Sequence, residues 1–208
     1  MHETARFGPI EWATAGRALP GEDVSGDQPV AIGIGDGAAL FGVMDGLGHG
    51  PDAATAAQRA VEALEAAPNE RPELLVRRCH RALGGTRGVA MTLARIDFAA
   101  GTLTWCGVGN VSGNLVARDA SGTHIRASAS PAGGIVGYRV PEVVPVQTIS
   151  IRTGDLLVIS SDGIDEHYVP QIDFAAPAGV IAKQILSKNA KQTDDAVVLA
   201  ARHRGTST

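Results

Sequence analysis

Residues 30–52 read "VAIGIGDGAALFGVMDGLGHGPD". This stretch decides the fold. Apolar runs on either side of Gly35-Asp36-Gly37 predict a β-hairpin, since Asp-Gly between such runs marks a tight turn. The second run ends on Asp45, and a glycine-rich loop follows. At Pro51 the texture changes to "PDAATAAQRAVEALEAAP", a helix with proline just inside its start and a breaker at Pro68. Ala53, Ala57, Val61 and Leu64 share one face of it at helical spacing.

Working outward, "IEWATAGRAL" (residues 10–19) is expected as strand, followed by the turn-rich "PGEDVSGDQP". "RPELLVRRCHRALGG" (71–85) gives a second helix that stops on two glycines. Strand texture returns in "VAMTLARIDF", "TLTWCGVGNVSGNLVARD" and "THIRASAS". After the loop "SPAGGIVGYRVPEVVP" come "VQTISIRTGDLLVISSD", a helix around "PAGVIAKQILSKN", and a closing strand "DDAVVLAAR". Strands, two consecutive helices, more strands, then one helix and a strand do not make a regular βαβ alternation. The order predicts an α+β fold of mostly antiparallel sheets with helices packed outside, in one domain over residues 1–208.

The 208 residues can bury a sizeable core, and 44% hydrophobic with 19% charged residues describes a globular chain. Aromatics are only 4%, so Ala, Val, Ile and Leu must fill that core. A net charge of -4 offers no basic footprint for nucleic acid or an anionic membrane. Cys79 and Cys106 form neither a disulfide framework nor a zinc pattern, and free thiols are expected. With no signal-type core at the N-terminus and no run of membrane-spanning length, a cytoplasmic location is the expectation; a monomer is also expected.

The informative residues are acids at strand ends. Asp45 closes "LFGVMD", Asp162 closes "LLVISSD", Asp194-Asp195 precede "AVVLAAR", and Asp27 follows glycine ahead of another apolar run. Taken singly, each has an ordinary use as a turn residue or helix N-cap. Taken together, on neighbouring strands they would gather several carboxylates at one sheet edge, repel one another and raise their pKa values. A hard divalent cation relieves that repulsion, because it takes oxygen ligands and tolerates coordinated water. Gly46 and Gly163, each directly after an acid, would let backbone approach such an ion. Two cations bridged by one Asp could activate a water and polarise a phosphoryl oxygen.

"VMDGLGHGPDAATAA", "CGVGN", "SPAGGIVGY", "ISSDGIDE" and "QTDDAVVLAAR", with "GEDVSGD" ahead of them, resemble in that order the bacterial PP2C-type (PPM) serine/threonine phosphatases of the SpoIIE/RsbU group. The resemblance runs from about Trp12 to Arg202, and the short length and "GVGN" form look closest to the group's stressosome phosphatases. It implies an αββα sandwich with a Mn²⁺ or Mg²⁺ centre, two ions, at one end. It further implies a bridging role for Asp45, a carbonyl ligand from Gly46, and Asp162 and Asp194 completing the shell. Asp195 is the alternative to Asp194, and Asp27 matches an acid near the metals, with Glu22 and Asp23 as acidic neighbours. Two positions depart from the wider family. Leu47 stands where many members carry a histidine general acid, which leaves His49 as the candidate, and Arg17 is the candidate for an arginine that grips phosphate. The activity implied is hydrolysis of phosphoserine or phosphothreonine by a metal-held hydroxide, on a STAS-domain stressosome or anti-sigma antagonist protein.

Other classes are less well served. A docking module that keeps the fold without catalysis would commonly lose ligands, yet Asp45, Asp162 and Asp194 are present. The glycine-rich stretches match neither nucleotide-binding pattern, and "SGDQP" lacks the Asp-x-Asp of haloacid-dehalogenase phosphatases.

Overall fold

The Asp-Gly turn joins β3 (Asp27–Ile34) to β4 (Ala38–Gly46), which pair antiparallel with Asp27 directly opposite Asp45. Pro51 opens α1 (Pro51–Glu65), and Pro72 opens α2 (Pro72–Ala82). The computed structural model describes residues 1–205.

β5 (Val89–Asp97), β6 (Thr102–Val108) and β9 (Gln147–Ser150) extend the hairpin into a five-stranded sheet, ordered β3-β4-β5-β6-β9. The second sheet has six strands, ordered β1 (His2–Phe7), β2 (Ile10–Arg17), β11 (Ala196–His203), β10 (Leu156–Ser160), β7 (Ser112–Asp119) and β8 (Gly122–Ser128). It takes β1 and β2 from the start of the chain, β7 and β8 from the middle, and β10 and β11 from the end. Every named strand pair is antiparallel. The last helix, α3 (Ala178–Asn189), follows a short 3-10 segment, Glu166–Gln171.

Three apolar layers hold these parts together. Between the sheets pack Phe41 and Val43 of β4, Trp105 of β6, Leu157 and Ile159 of β10, and Val197 and Leu199 of β11. The alternate residues of β4, Leu40 and Met44, face outward onto α1 and α2, where Ala56, Ala57, Ala60 and Leu75 are buried. Val198 and Ala200 of β11 face the other way, onto Ile181 and Ile185 of α3. The expected αββα sandwich is therefore the observed one. The alanine-rich face of α1 suits it, since small side chains let a helix lie close on a sheet. Two elements were not foreseen: the exposed edge strand β1, and the 3-10 segment after Asp165. Among the described residues no helix is long and apolar enough to cross a membrane.

Candidate metal centre

The period of two along a strand sets which way the acids point. On β4, Ala39, Phe41 and Val43 face the space between the sheets, so Asp45 faces it too. On β3, Ala31 faces the same side and Asp27 follows its parity. The opposite sheet answers from the ends of β10 and β11, where Ser161 and Asp162 follow one strand and Asp194 and Asp195 precede the other. The acids thus meet at one end of the sandwich. Each of the two aspartate-glycine turns is locked to a neighbouring backbone. A Cβ on Gly46 would lie 2.7 Å from the Ala53 carbonyl carbon at the start of α1. A Cβ on Gly163 would overlap the Asp195 carbonyl oxygen outright.

Asp27 is 3% exposed, and its Oδ2 is buried without a hydrogen-bond partner. Burial raises its pKa to about 7, with Asp195, Asp194 and Asp162 adding repulsion and Ser161 pulling the other way. Asp45 rises further, to about 8, again through burial first and then the charge of Asp27 and the three remaining acids. Asp162 is also raised, by burial and Asp194, while Lys191 opposes the shift. Among the described residues no three such groups stand in a ready-closed ligand set.

The donor set nevertheless fits a hard divalent cation. It offers oxygen only, it surrounds a buried carboxylate oxygen with no partner, and its charge is unbalanced. Asp45, Asp162, Asp194 and the Gly46 carbonyl are the groups that would hold it, with Asp27 behind them. Asp195 is the less available of the pair: its Oδ1 accepts from Leu19 N–H and its Oδ2 from Gly26 N–H, both at 2.8 Å. This acid, 2% exposed, ties the loop ahead of β3 to the start of β11. Asp194 turns Oδ1 back to the Asp195 N–H at 2.9 Å and keeps Oδ2 for other use.

Arg17, the candidate phosphate ligand, spends its guanidinium on backbone. It donates to the carbonyls of Ala18 at 3.0 Å, Asp194 at 3.3 Å and Lys191. Its place in the structure is that of a clamp on the segment carrying Asp194. His49 sits on the exposed loop after Gly46, with Nδ1 2.8 Å from Glu22 Oε1. Glu22 is thus tied to His49, and no contact of Asp23 with the other acids appears among the described residues. Sequence reasoning assigned no role to Asn110, whose Nδ2 donates to Asp162 Oδ2 at 2.6 Å, or to Lys191, whose Nζ donates to the Asp162 carbonyl at 2.6 Å. Asn110 is the last residue of "GVGN", and Lys191 lies just ahead of the Asp194-Asp195 pair, so proximity to a motif was the available signal.

The raised carboxylates carry a pH prediction. The folded protein holds protons on Asp27 and Asp45 that the unfolded chain has lost, so these acids cost more stability as pH climbs from about 4 to about 8. A cation replaces those protons. Mn²⁺ is therefore expected to raise the melting temperature more at about pH 8 than at about pH 5.5. Thermal unfolding at the two pH values, with Mn²⁺ and with chelator, checks this, and equal shifts would contradict it.

The model of the family described as Stage II sporulation protein E (SpoIIE) matches residues 35–204. Phosphoserine phosphatase RsbX of Bacillus subtilis (strain 168) is 26% identical over 152 residues, covering 73% of this chain and 72% of that protein. A solved chain from work on the bacterial stressosome as a modular system adapted to control secondary messenger signaling is 33% identical. It covers 93% of this chain and 99% of its own, with a TM-score of 0.83. The structure of RsbX in complex with magnesium shares the fold, with a TM-score of 0.81, 21% identity and coverage of 97% and 98%.

Proposed function

The chain belongs to the SpoIIE family, and from that premise we propose that it is a metal-dependent phosphatase of phosphoserine and phosphothreonine in proteins. The observation that carries this is the set of acids at the end of the sandwich, with a buried Asp27 oxygen left without a partner. When bound, Mn²⁺ or Mg²⁺, two ions in our reading, supplies the positive charge that activates a water and polarises the phosphoryl group. The rest is the work of the chain. Asp45 projects from the end of strand β4, opposite Asp27, and is the carboxylate that would hold the metal from that sheet. Asn110 fixes one oxygen of Asp162 and leaves the other to turn inward. Asp195 and Arg17 hold the backbone on either side of Asp194.

No nucleophilic serine or cysteine is needed. Both thiols are buried and pushed up to about 12 by burial, which keeps them protonated and inert. For the leaving alkoxide we assign the proton to Nε2 of His49, because Glu22 occupies Nδ1 and orients the ring. The likeness to RsbX and to the stressosome chain supports a phosphoprotein substrate of the stressosome, with a STAS-domain protein as the specific proposal.

Hydrolysis of a phosphoserine peptide with Mn²⁺, Mg²⁺ or chelator tests the reading. Turnover is expected only with a divalent ion. Turnover unaffected by chelator would overturn the metal dependence. Stoichiometric metal binding without hydrolysis of peptide or phosphorylated STAS protein would favour a docking module instead.

A further inference from the structure

A phosphoserine dianion approaching this centre meets five aspartates, and the arginine expected to greet it is committed to carbonyl oxygens. We infer that Lys191 is the phosphate-contacting cation of the site. The inference rests on the phosphatase reading and adds to it the group that receives the outer phosphate oxygens.

Beside Asp162 lies a cavity of about 280 Å³, lined by Asn110, Ser112, Ser161, Asp162, His167 and Lys191 among others. Lys191 is its only lysine or arginine among the described residues. The side chain is exposed, yet its backbone is pinned at both ends. The N–H donates to the Gly163 carbonyl at 2.8 Å, and the carbonyl accepts from Arg17. Nζ is held over the Asp162 carbonyl at 2.6 Å, which uses one of its three donors. It forms no ion pair with any carboxylate among the described residues, although acids surround it. An ammonium on the lining of an open cavity, with two donors left, suits an incoming phosphate as a compact point charge among the acids Asp162, Asp165 and Glu166. His167, the other basic group on the cavity, is turned to Asp165 at 2.6 Å.

A different role would also use these contacts: Lys191 could serve only to position Asp162. The two separate in the laboratory. Lys191→Met and Lys191→Arg are compared with wild type in saturating Mn²⁺ for kcat, KM and competitive inhibition by inorganic phosphate, and for Mn²⁺ affinity by calorimetry. Loss of a charge-assisted hydrogen bond predicts KM and the phosphate inhibition constant both raised about tenfold or more in Lys191→Met. Mn²⁺ affinity is expected to stay within about twofold, and Lys191→Arg to recover most of the loss. Unchanged phosphate inhibition in Lys191→Met overturns the inference. So does a fall in Mn²⁺ affinity that accounts for the lost activity, which makes Lys191 a positioning residue. Wild type that binds Mn²⁺ but neither turns over nor binds phosphate overturns the phosphatase reading itself, and with it the role of Lys191.

Discussion

Asp45→Asn is expected to lower metal-dependent turnover by on the order of 10³-fold or more, while raising the melting temperature of the metal-free protein. The two effects have one origin. Asp45 is half-buried beside Asp27, its register partner on β3, and the charges of Asp162, Asp194 and Asp195 bear on it from across the sandwich. Without a cation its ionised form is a cost to the fold, and amide replacement removes that cost at nearly constant shape. With a cation bound, that same charge would be a ligand to it, and the amide would be a far poorer one. Loss of a partner that merely orients a ligand costs roughly 10–100-fold, so a direct ligand belongs above that range. Turnover of a phosphoserine peptide in Mn²⁺ and thermal unfolding in chelator are the two measurements. Lost activity together with lost metal-free stability would mean that Asp45 is structural, and that the site lies elsewhere.

Gly163→Ala carries the second large effect, this time on the fold. The added Cβ would overlap the Asp195 carbonyl oxygen and stand 3.0 Å from its carbonyl carbon. Both neighbours are backbone at the start of β11, and neither can rotate away. The same backbone is held by Asp195, whose side chain bonds Leu19 and Gly26 N–H. Relief by moving this segment would therefore pull on the loop ahead of β3 as well. Overpacking typically costs 1–3 kcal/mol, and this site is expected at or above the top of that range, about 3 kcal/mol or more. For a chain of this size that corresponds to a melting point lower by roughly 6–12 °C. Denaturant unfolding with metal removed measures it. Metal affinity should fall as well, since Asp162 and Asp194 sit on the two segments forced apart.

The local elements were legible because their signals are local. Gly35-Asp36-Gly37 marked the hairpin, Pro51 marked the first helix start, and Gly84-Gly85 marked the end of the second helix. β1 escaped notice because "HETARF" is an exposed edge strand, with no buried face to impose an apolar period. The 3-10 segment Glu166–Gln171 escaped because it depends on a cap from Asp165 and contains Pro170. Sheet order could not be read from local pattern. β10 lies between β7 and β11, and that placement brings Asn110 to Asp162.

The candidate site shows the same division. That acids recur at strand ends is visible in the chain, and the structure brings Asp27, Asp45, Asp162 and Asp194 to one end of the sandwich. Strand parity alone would favour Asp195 over Asp194, because Asp195 shares the inward parity of Val197. Hydrogen bonding favours Asp194, the residue the resemblance implies, since each Asp195 oxygen already accepts a backbone N–H. Arg17 shows a related limit. A cation near an acidic motif reads as a phosphate ligand, but its partners are carbonyls at positions 18, 191 and 194, most of them remote in sequence.

The most direct test of the account is a crystal structure of the protein with Mn²⁺, the ions located by their anomalous scattering. The account predicts Mn²⁺ between the sheets, coordinated by Asp45, Asp162, Asp194 and the Gly46 carbonyl, with Asp195 still bonded to Leu19 and Gly26. Ions bound away from Asp45, or an Asp45 carboxylate that stays free of metal at saturating Mn²⁺, would contradict it.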